Sequence, residues 1–130
     1  MSGQALRVLV ADDNPLNRRT LVRLLKGLGY TGVVVDDGLQ ALECLRQRSF
    51  DLLLLDDFMP GLDGVRTLAE IRRLEAGSGR HLPVIMCTGH DLPEDRQRYL
   101  GLGADGYLCK PPGLEALIAE IAAVLGPSRS

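Results

Sequence analysis

Acidic residues stand in pairs directly after two apolar runs of the sequence. Asp12 and Asp13 follow "VLVA", and Asp56 and Asp57 follow "LLLL" in the stretch "DLLLLDDFMPG". Carboxylate oxygens are ligands that Mg²⁺ prefers, and a carboxylate is also a nucleophile that can accept a phosphoryl group. The two pairs therefore predict a site for metal-assisted phosphoryl chemistry, provided that the fold brings them together.

Two further polar residues follow apolar runs in the same way. Thr88 comes after "VIMC" and Lys110 after "GYLC". Clustered carboxylates repel one another, each pair by about 4 kcal/mol at about 4 Å in an effective dielectric of about 20, so a cation must compensate them. The Lys110 ammonium and the Thr88 hydroxyl are suited to bind the oxygens of a phosphoryl group beside Mg²⁺.

Short apolar runs of strand length alternate with amphipathic helical patterns along the chain. Strands are predicted at Leu6–Ala11, Gly32–Val35, Asp51–Leu55, Pro83–Cys87 and Gly106–Cys109. Helices are predicted from an Asn14 cap to Gly29, over Gly38–Gln47, from Asp63-Gly64 to about Ala76, over about Pro93–Leu102 and over Leu114–Leu125. Because strands and helices alternate, we expect right-handed βαβ crossovers and a parallel sheet covered on both faces.

The predicted fold class is α/β, a doubly wound five-stranded parallel sheet of the flavodoxin-like order 2-1-3-4-5. In such sheets ligands bind at the carboxyl ends of the strands, between strands one and three. Asp12-Asp13, Asp56-Asp57, Thr88 and Lys110 all stand at the carboxyl ends of predicted strands, on the edge of the sheet where such ligands bind. Asp36 and Asp37 also follow a strand, but it is an edge strand, and "DDG" is typical of a turn and a helix cap.

Composition narrows the classes of function. The chain has 130 residues, 45% of them hydrophobic, which predicts one domain over 1–130 with a core at about 5–125 and a tail or linker from 126 to 130. A net charge of −2 argues against direct nucleic-acid binding. The N-terminus lacks the pattern of a signal peptide or membrane span, and three cysteines without CxxC spacing suit a reducing compartment. We therefore expect a cytoplasmic domain without membrane contact.

Four sequence blocks, in this order, resemble the receiver domain of two-component response regulators over essentially the whole chain. They are "VLVADDNPLNRR", "DLLLLDDFMPGLDG", "PVIMCTG" and "GADGYLCKP". The second block contains the D-x-x-M-P pattern of the phosphoacceptor. Aligned on this pattern, Asp56 is the acceptor and Asp57 is a variable position.

The resemblance also implies a metal site with Mg²⁺ as the cofactor. Asp13 would bind the ion directly, Asp12 more loosely or through water, and Asp56 together with the backbone carbonyl of Phe58 would complete the protein ligands. These roles follow from the family pattern and are expectations for this chain.

The resemblance further implies how the domain responds. Thr88 and Lys110 would hold the phosphoryl oxygens, and Tyr107 matches an aromatic position whose rotamer is coupled to Thr88 when the domain switches. Alternatively, Tyr107 only packs in the core and takes no part in switching. The Lys110-Pro111 peptide resembles a cis peptide of the family, a conformation open to X–Pro bonds.

The implied function is that of a phosphoacceptor domain, which is not a stand-alone enzyme although it catalyses its own phosphorylation and dephosphorylation. The phosphoryl donor would be a histidine kinase or a histidine phosphotransfer protein, and an output domain or protein would read the modified state. The connection "EAGSGRHLP", with Asn14 and Asn17, resembles receivers attached to hybrid histidine kinases.

Other interpretations of the same residues remain. Asp12 and Asp13 alone are typical of a helix cap, and a receiver-like module that binds partners without phosphorylation would keep the fold. An aspartyl-phosphate hydrolase is disfavoured because its D-x-D motif is absent.

"GLGADG" matches a dinucleotide-binding pattern but lies between a helix and a strand, in the reverse of the required order. His90 near Cys87 suggests a thiol–imidazole pair, but a thiol in a buried strand is normally inert.

Overall fold

The computed structural model describes residues 6–89 and 93–126, which form five strands and five helices in alternation. The strands are β1 (Arg7–Ala11), β2 (Thr31–Val35), β3 (Leu52–Asp56), β4 (Val84–Thr88) and β5 (Gly106–Cys109). The helices are α1 (Pro15–Gly27), α2 (Gly38–Gln47), α3 (Gly64–Glu75), α4 (Pro93–Gly101) and α5 (Leu114–Leu125). Every predicted element is present.

The ends of two strands differ from the prediction in a way that matters for the site. β3 and β4 each begin and end one residue later than predicted. Asp56 is therefore the last residue of β3, where it is paired in register with Cys87, and Thr88 is the last residue of β4. Both polar side chains are held by the sheet itself, rather than by the loops that follow it.

The five strands form one parallel sheet of order β2-β1-β3-β4-β5. This is the doubly wound, flavodoxin-like α/β arrangement that the sequence predicts. β1 and β3 are neighbours in the sheet, but the chain passes from β1 to β2 on one side and from β3 to β4 on the other. The crevice of the sheet therefore lies between the carboxyl ends of β1 and β3. In the described ranges, no helix has the length and apolar character that crossing a membrane requires.

Apolar side chains cover both faces of the sheet. On one face Leu52 and Leu54 of β3 pack with α1 and α5, and on the other Leu53 and Leu55 pack with α2, α3 and α4. Every residue of β3 is buried. The run "LLLL" does not alternate with polar residues because each successive side chain, although it points to the opposite face, meets a layer of helices.

Among the described residues, side-chain caps are found at the start of three helices. Asn14, Asp37 and Asp63 each accept hydrogen bonds from backbone N–H groups in the first turn of α1, α2 and α3, respectively. Such caps satisfy N–H groups that have no partner within the helix. The structural interpretation of Asp37 as a helix cap is confirmed.

The amino end of α3 packs directly on the backbone at the end of β3. A Cβ atom at Gly64 would lie 2.1 Å from the carbonyl oxygen of Asp56 and 2.8 Å from Cα of Asp57. The Gly64 N–H donates a 2.7 Å hydrogen bond to the carbonyl oxygen of Asp57. Only a residue without a side chain allows this contact, which fixes the path of the backbone around Asp56 and Asp57.

Candidate functional site

Three charged side chains meet at the carboxyl end of the sheet, on the side covered by α1 and α5. Asp12 continues β1, Asp56 ends β3, and Lys110 follows β5. The Lys110 Nζ atom lies 2.8 Å from Asp56 Oδ1 and 2.8 Å from Asp12 Oδ2. The predicted meeting of these residues is thus observed, and the ammonium bridges the two carboxylates.

The carboxylates of Asp12, Asp13 and Asp56 form a group that could hold a metal ion. One oxygen of each lies within 4.8 Å of the others; Asp12 and Asp56 are buried, whereas Asp13 is exposed. Asp12 Oδ2 is ion-paired with Lys110, but no described residue donates a well-directed hydrogen bond to it. An oxygen-only set with one side open to water fits Mg²⁺, which prefers oxygen ligands and retains several waters.

Burial and neighbouring charges change the acid strength of this group. Burial raises the pKa of Asp56, and the negative charges of Asp12 and Asp13 raise it further, whereas Lys110 opposes the rise. Burial alone would lower the pKa of Lys110, but the carboxylates of Asp12 and Asp56 outweigh it and raise that pKa above its ordinary value. The Lys110 ammonium therefore stays charged, and it is one cation beside the three carboxylates of Asp12, Asp13 and Asp56.

The loop after β1 is held by contacts that the sequence analysis missed. Arg18 on α1 donates a 2.7 Å hydrogen bond from Nη1 to the backbone carbonyl of Asp12. Asp12 Oδ1 accepts a 2.9 Å hydrogen bond from the N–H of Asn14, so one oxygen braces the loop while the other faces Lys110. The helix cap itself is Asn14. Nothing in the local pattern distinguishes Arg18 from the other arginine side chains of this helix.

Asp57 lies outside the cluster. The residue is 5% exposed, and its carboxylate accepts a hydrogen bond from the Tyr99 hydroxyl of α4. Successive strand residues face opposite sides, so Asp57 points towards the layer of α2, α3 and α4 while Asp56 points towards Lys110. Burial is the largest cause that raises the pKa of Tyr99 to about 12, and the hydrogen bond to Asp57 is the next largest. The hydroxyl therefore keeps its proton and stays a hydrogen-bond donor. No sequence pattern distinguishes Tyr99 as a residue of this site.

The remaining predicted site residues lie near the same edge of the sheet. Thr88 is fully buried, and its carbonyl oxygen accepts a 2.7 Å hydrogen bond from the N–H of Lys110. Tyr107 is buried, with its ring stacked on that of Tyr99 at 5.8 Å between centroids. Phe58 is 63% exposed, and the Lys110-Pro111 peptide is cis, as expected. The catalytic, metal-binding and switching roles of these residues stay predictions.

The two alternative motifs gain no support. Gly101–Gly106 runs from the end of α4 to the start of β5, the reverse of the order needed for dinucleotide binding. Cys87 is buried in β4, and burial raises the pKa of its thiol to about 12, which makes it a poor nucleophile. Its suggested partner His90 lies outside the described residues.

Comparison with known proteins decides the family. The sequence model described as "Response regulator receiver domain" matches residues 8–122, nearly the whole of the described chain. This chain belongs to the response regulator receiver domain family. The family prediction made from the four sequence blocks is confirmed.

Relatives of this receiver domain include both large kinases and shorter regulators. The chain is 40% identical over 121 residues to the sensor histidine kinase RcsC of Salmonella typhi and 39% identical over 121 residues to the response regulator MprA of Mycobacterium ulcerans. Each alignment covers 93% of the chain, but only 12% of the kinase and 50% of the regulator. The chain thus spans about an eighth of the kinase and half of the regulator.

Solved structures of receiver domains share the fold. The chemotaxis response regulator CheY4 of Vibrio cholerae superposes with a TM-score of 0.83 at 28% identity, covering 93% of this chain and 99% of that one. The receiver domain of the Francisella response regulator 1452 superposes with a TM-score of 0.76 at 30% identity, covering 88% and 91%. The CheY-like order of strands and helices is therefore that of this receiver domain.

Proposed function

We propose that this receiver domain accepts a phosphoryl group on Asp56, with Mg²⁺ as cofactor, and changes conformation in response. The observation that carries the proposal is the position of Asp56: its buried carboxylate lies 2.8 Å from Lys110 and within 4.8 Å of the Asp12 and Asp13 carboxylates. A nucleophilic carboxylate, a cation and a metal-binding set in one crevice are the groups that phosphoryl transfer requires.

The transfer step can be written from these residues. A carboxylate oxygen of Asp56 attacks the phosphorus of a phosphohistidine, a P–O bond forms, and the P–N bond breaks with its electron pair going to the imidazole nitrogen. Asp12, Asp13, Asp56 and the carbonyl of Phe58 would hold Mg²⁺, which when bound neutralises charge on the phosphoryl oxygens. Lys110 would then exchange its contact with Asp56 for one with a phosphoryl oxygen.

Dephosphorylation is a separate hydrolysis that uses the same groups. Water attacks the phosphorus of the acyl phosphate on Asp56, and the carboxylate leaves as inorganic phosphate is released. Lys110 contributes positioning and charge neutralisation in both reactions, since it stays protonated beside the carboxylates. The domain is thus proposed to catalyse its own phosphorylation and dephosphorylation without acting on a separate small-molecule substrate.

The proposed switch connects Thr88 to Tyr107. Both are buried; Thr88 is the last residue of β4, and Tyr107 lies in the neighbouring strand β5, where it is paired with Met86. A phosphoryl group on Asp56 would draw in the Thr88 hydroxyl and leave space into which Tyr107 can move, shifting the population between two conformers. Partners would read the changed surface of α4, β5 and α5.

The proposed partners follow from the family and the relatives. The match to sensor histidine kinases supports a histidine kinase or a histidine phosphotransfer protein as the phosphoryl donor, with an output domain or protein downstream. Cys44, Cys87 and Cys109 are not joined in disulfides, which suits the proposed cytoplasmic location. Attachment to a hybrid kinase stays a prediction, because kinases and separate regulators match about equally well.

Phosphorylation can be tested on the purified chain by intact-mass spectrometry after incubation with phosphoramidate and MgCl₂. We expect one phosphoryl group per chain, lost on treatment with hydroxylamine and not formed in chelator. Asp56→Asn should abolish the modification, and Asp37→Asn, which alters an acidic helix cap on α2, should leave it intact. Wild-type protein that gains no mass, even with a histidine kinase as donor, would favour a module that binds partners without phosphorylation.

A further inference from the structure

A buried hydrogen bond connects the phosphoacceptor segment to helix α4. The hydroxyl of Tyr99, a residue with no exposed surface, donates to the carboxylate of Asp57, which is 5% exposed. A buried carboxylate is costly unless hydrogen bonds satisfy it, so this contact resists separation. It joins α4 to the residue that follows Asp56 in the chain.

The backbone around Asp57 has little freedom to move independently of Asp56. The Asp57 carbonyl accepts the hydrogen bond from Gly64 N–H, and α3 packs against the Asp56 carbonyl with no room for a Cβ atom. Asp57 is therefore held on one side by the start of α3 and on the other by Tyr99. A displacement of this segment would be passed to both helices.

At its other side, Tyr99 contacts the predicted switch residue. The Tyr99 and Tyr107 rings are stacked at 5.8 Å with an angle of 21° between their planes. Arg96, one turn earlier in α4, binds Glu120 of α5 at 2.9 Å, and Glu120 accepts a 2.8 Å hydrogen bond from the N–H of Tyr107. The order of contacts is thus Asp57, Tyr99, Tyr107 and then the α4–α5 ion pair.

We propose that Tyr99 is a positioning residue that couples the phosphoacceptor segment to helix α4 through its hydrogen bond to Asp57. This inference rests on the proposed phosphorylation of Asp56. Occupation of Asp56 alters the segment to which Asp57 belongs, and the Tyr99 hydroxyl transmits that change to α4 and to the ring stacked on Tyr107. This route begins at Asp57, whereas the proposed movement begins at Thr88, and both routes reach Tyr107.

The coupling is reciprocal, as any coupling between two sites must be. If Asp57 and Tyr99 hold α4 in the arrangement of the unmodified domain, a ligand that moves α4 also changes the affinity of the Asp56 site for a phosphoryl mimic. Asp57→Asn keeps an oxygen acceptor for the Tyr99 hydroxyl, whereas Asp57→Ala and Tyr99→Phe each remove the bond. The three variants therefore separate the hydrogen bond from the charge.

The test is a titration with beryllofluoride and Mg²⁺, followed by backbone amide NMR. In the wild type we expect shifts at the loops carrying Asp13 and Lys110, and also along α4. In Tyr99→Phe and Asp57→Ala the loop shifts should persist, while the α4 shifts fall to less than about half, and the double variant should be no worse than either single one, as expected for one shared interaction. Asp57→Asn should restore most of the α4 response.

Tyr30→Phe is the matched control, because it removes one hydroxyl from a tyrosine that packs with the α1 and α5 face of the core. It should respond as the wild type does. A full α4 response in Tyr99→Phe, or additive losses in the double variant, would overturn the coupling while leaving phosphorylation of Asp56 in place. A wild type that shows no shift at the site loops would overturn both this inference and the proposed function.

Discussion

Asp56 and Asp57 are consecutive residues whose carboxylates bind partners on opposite faces of the sheet. Asp56 Oδ1 lies 2.8 Å from the Lys110 ammonium, whereas Asp57 accepts a hydrogen bond from Tyr99 of α4. The alternation of side chains along β3 produces this division, because it places Asp56 with Leu52 and Leu54 and turns Asp57 to the face of Leu53 and Leu55. Only Asp56 shares the crevice with the other two carboxylates of the metal-binding group.

Magnesium should stabilise the folded domain. The clustered carboxylates of Asp12, Asp13 and Asp56 exist only in the native state, so an ion that binds them shifts the folding equilibrium. At about 100 times its Kd, Mg²⁺ would add about 2.7 kcal/mol to the free energy of unfolding. Thermal melts in MgCl₂ and in chelator should therefore differ by several degrees.

Two variants make the magnesium measurement specific. Asp13→Ala should remove the difference between MgCl₂ and chelator. Asp37→Ala loses a helix cap, which costs about 1 kcal/mol under both conditions, and should keep the magnesium response. Equal melting temperatures of the wild type with and without Mg²⁺ would contradict the metal site.

Gly64→Ala should destabilise the domain by about 3 kcal/mol, as a severe overpacking does. The added Cβ would lie 2.1 Å from the carbonyl oxygen of Asp56, so α3 would have to move away from the phosphoacceptor backbone. Gly27→Ala is the matched control, since its Cβ would meet nothing within 4 Å at the end of α1. It should raise stability by about 0.5 kcal/mol through better helix propensity.

Urea denaturation measures both glycine variants on one scale. The two substitutions should change the free energy of unfolding in opposite directions. A Gly64→Ala protein with wild-type stability would show that α3 does not pack on the acceptor segment as closely as described.

Much of this architecture follows from local patterns. The run "LLLL" predicts a strand buried on both faces, and Asn14 and Asp63 predict helix starts, because periodicity and caps depend on residues a few positions apart. The meeting of Asp12, Asp56 and Lys110 was also predictable, since parallel strands bring their carboxyl ends to one edge.

Contacts between distant segments could not be predicted in the same way. Tyr99 stands in a mostly polar helix, and nothing near it in the sequence indicates that its hydroxyl reaches Asp57, 42 positions earlier. The need for glycine at position 64 is equally invisible, because it depends on how closely α3 approaches the Asp56 carbonyl. Such contacts are set by the packing of helices on the sheet, which periodicity alone does not specify.

Cys87 should be unreactive in the native domain. Burial raises the pKa of its thiol from 9.0 to about 12, so at pH 8 only about one molecule in ten thousand carries the thiolate that attacks a disulfide reagent. Labelling with Ellman's reagent should leave Cys87 unmodified in buffer, and all three thiols should react in urea. Rapid native labelling of Cys87, located by peptide mapping, would contradict its burial.

The same shift predicts how stability changes in alkali. The unfolded chain loses the Cys87 proton from about pH 9, but the folded chain retains it to about pH 12, so the free energy of unfolding falls as pH rises between these values. The contribution of this thiol is about 1 kcal/mol per pH unit. Cys87→Ala should show a correspondingly shallower loss in urea midpoints.

The most direct test of the central claim is to locate the phosphoryl group by borohydride reduction of the phosphorylated protein, followed by peptide mass spectrometry. The reduced residue should be Asp56, because it alone of the two neighbours faces Lys110 and the metal-binding carboxylates. Asp57→Asn should still be labelled at Asp56, and Asp56→Asn should not be labelled at all. Reduction found at Asp57, or full labelling of Asp56→Asn, would contradict the assignment of Asp56 as the phosphoacceptor.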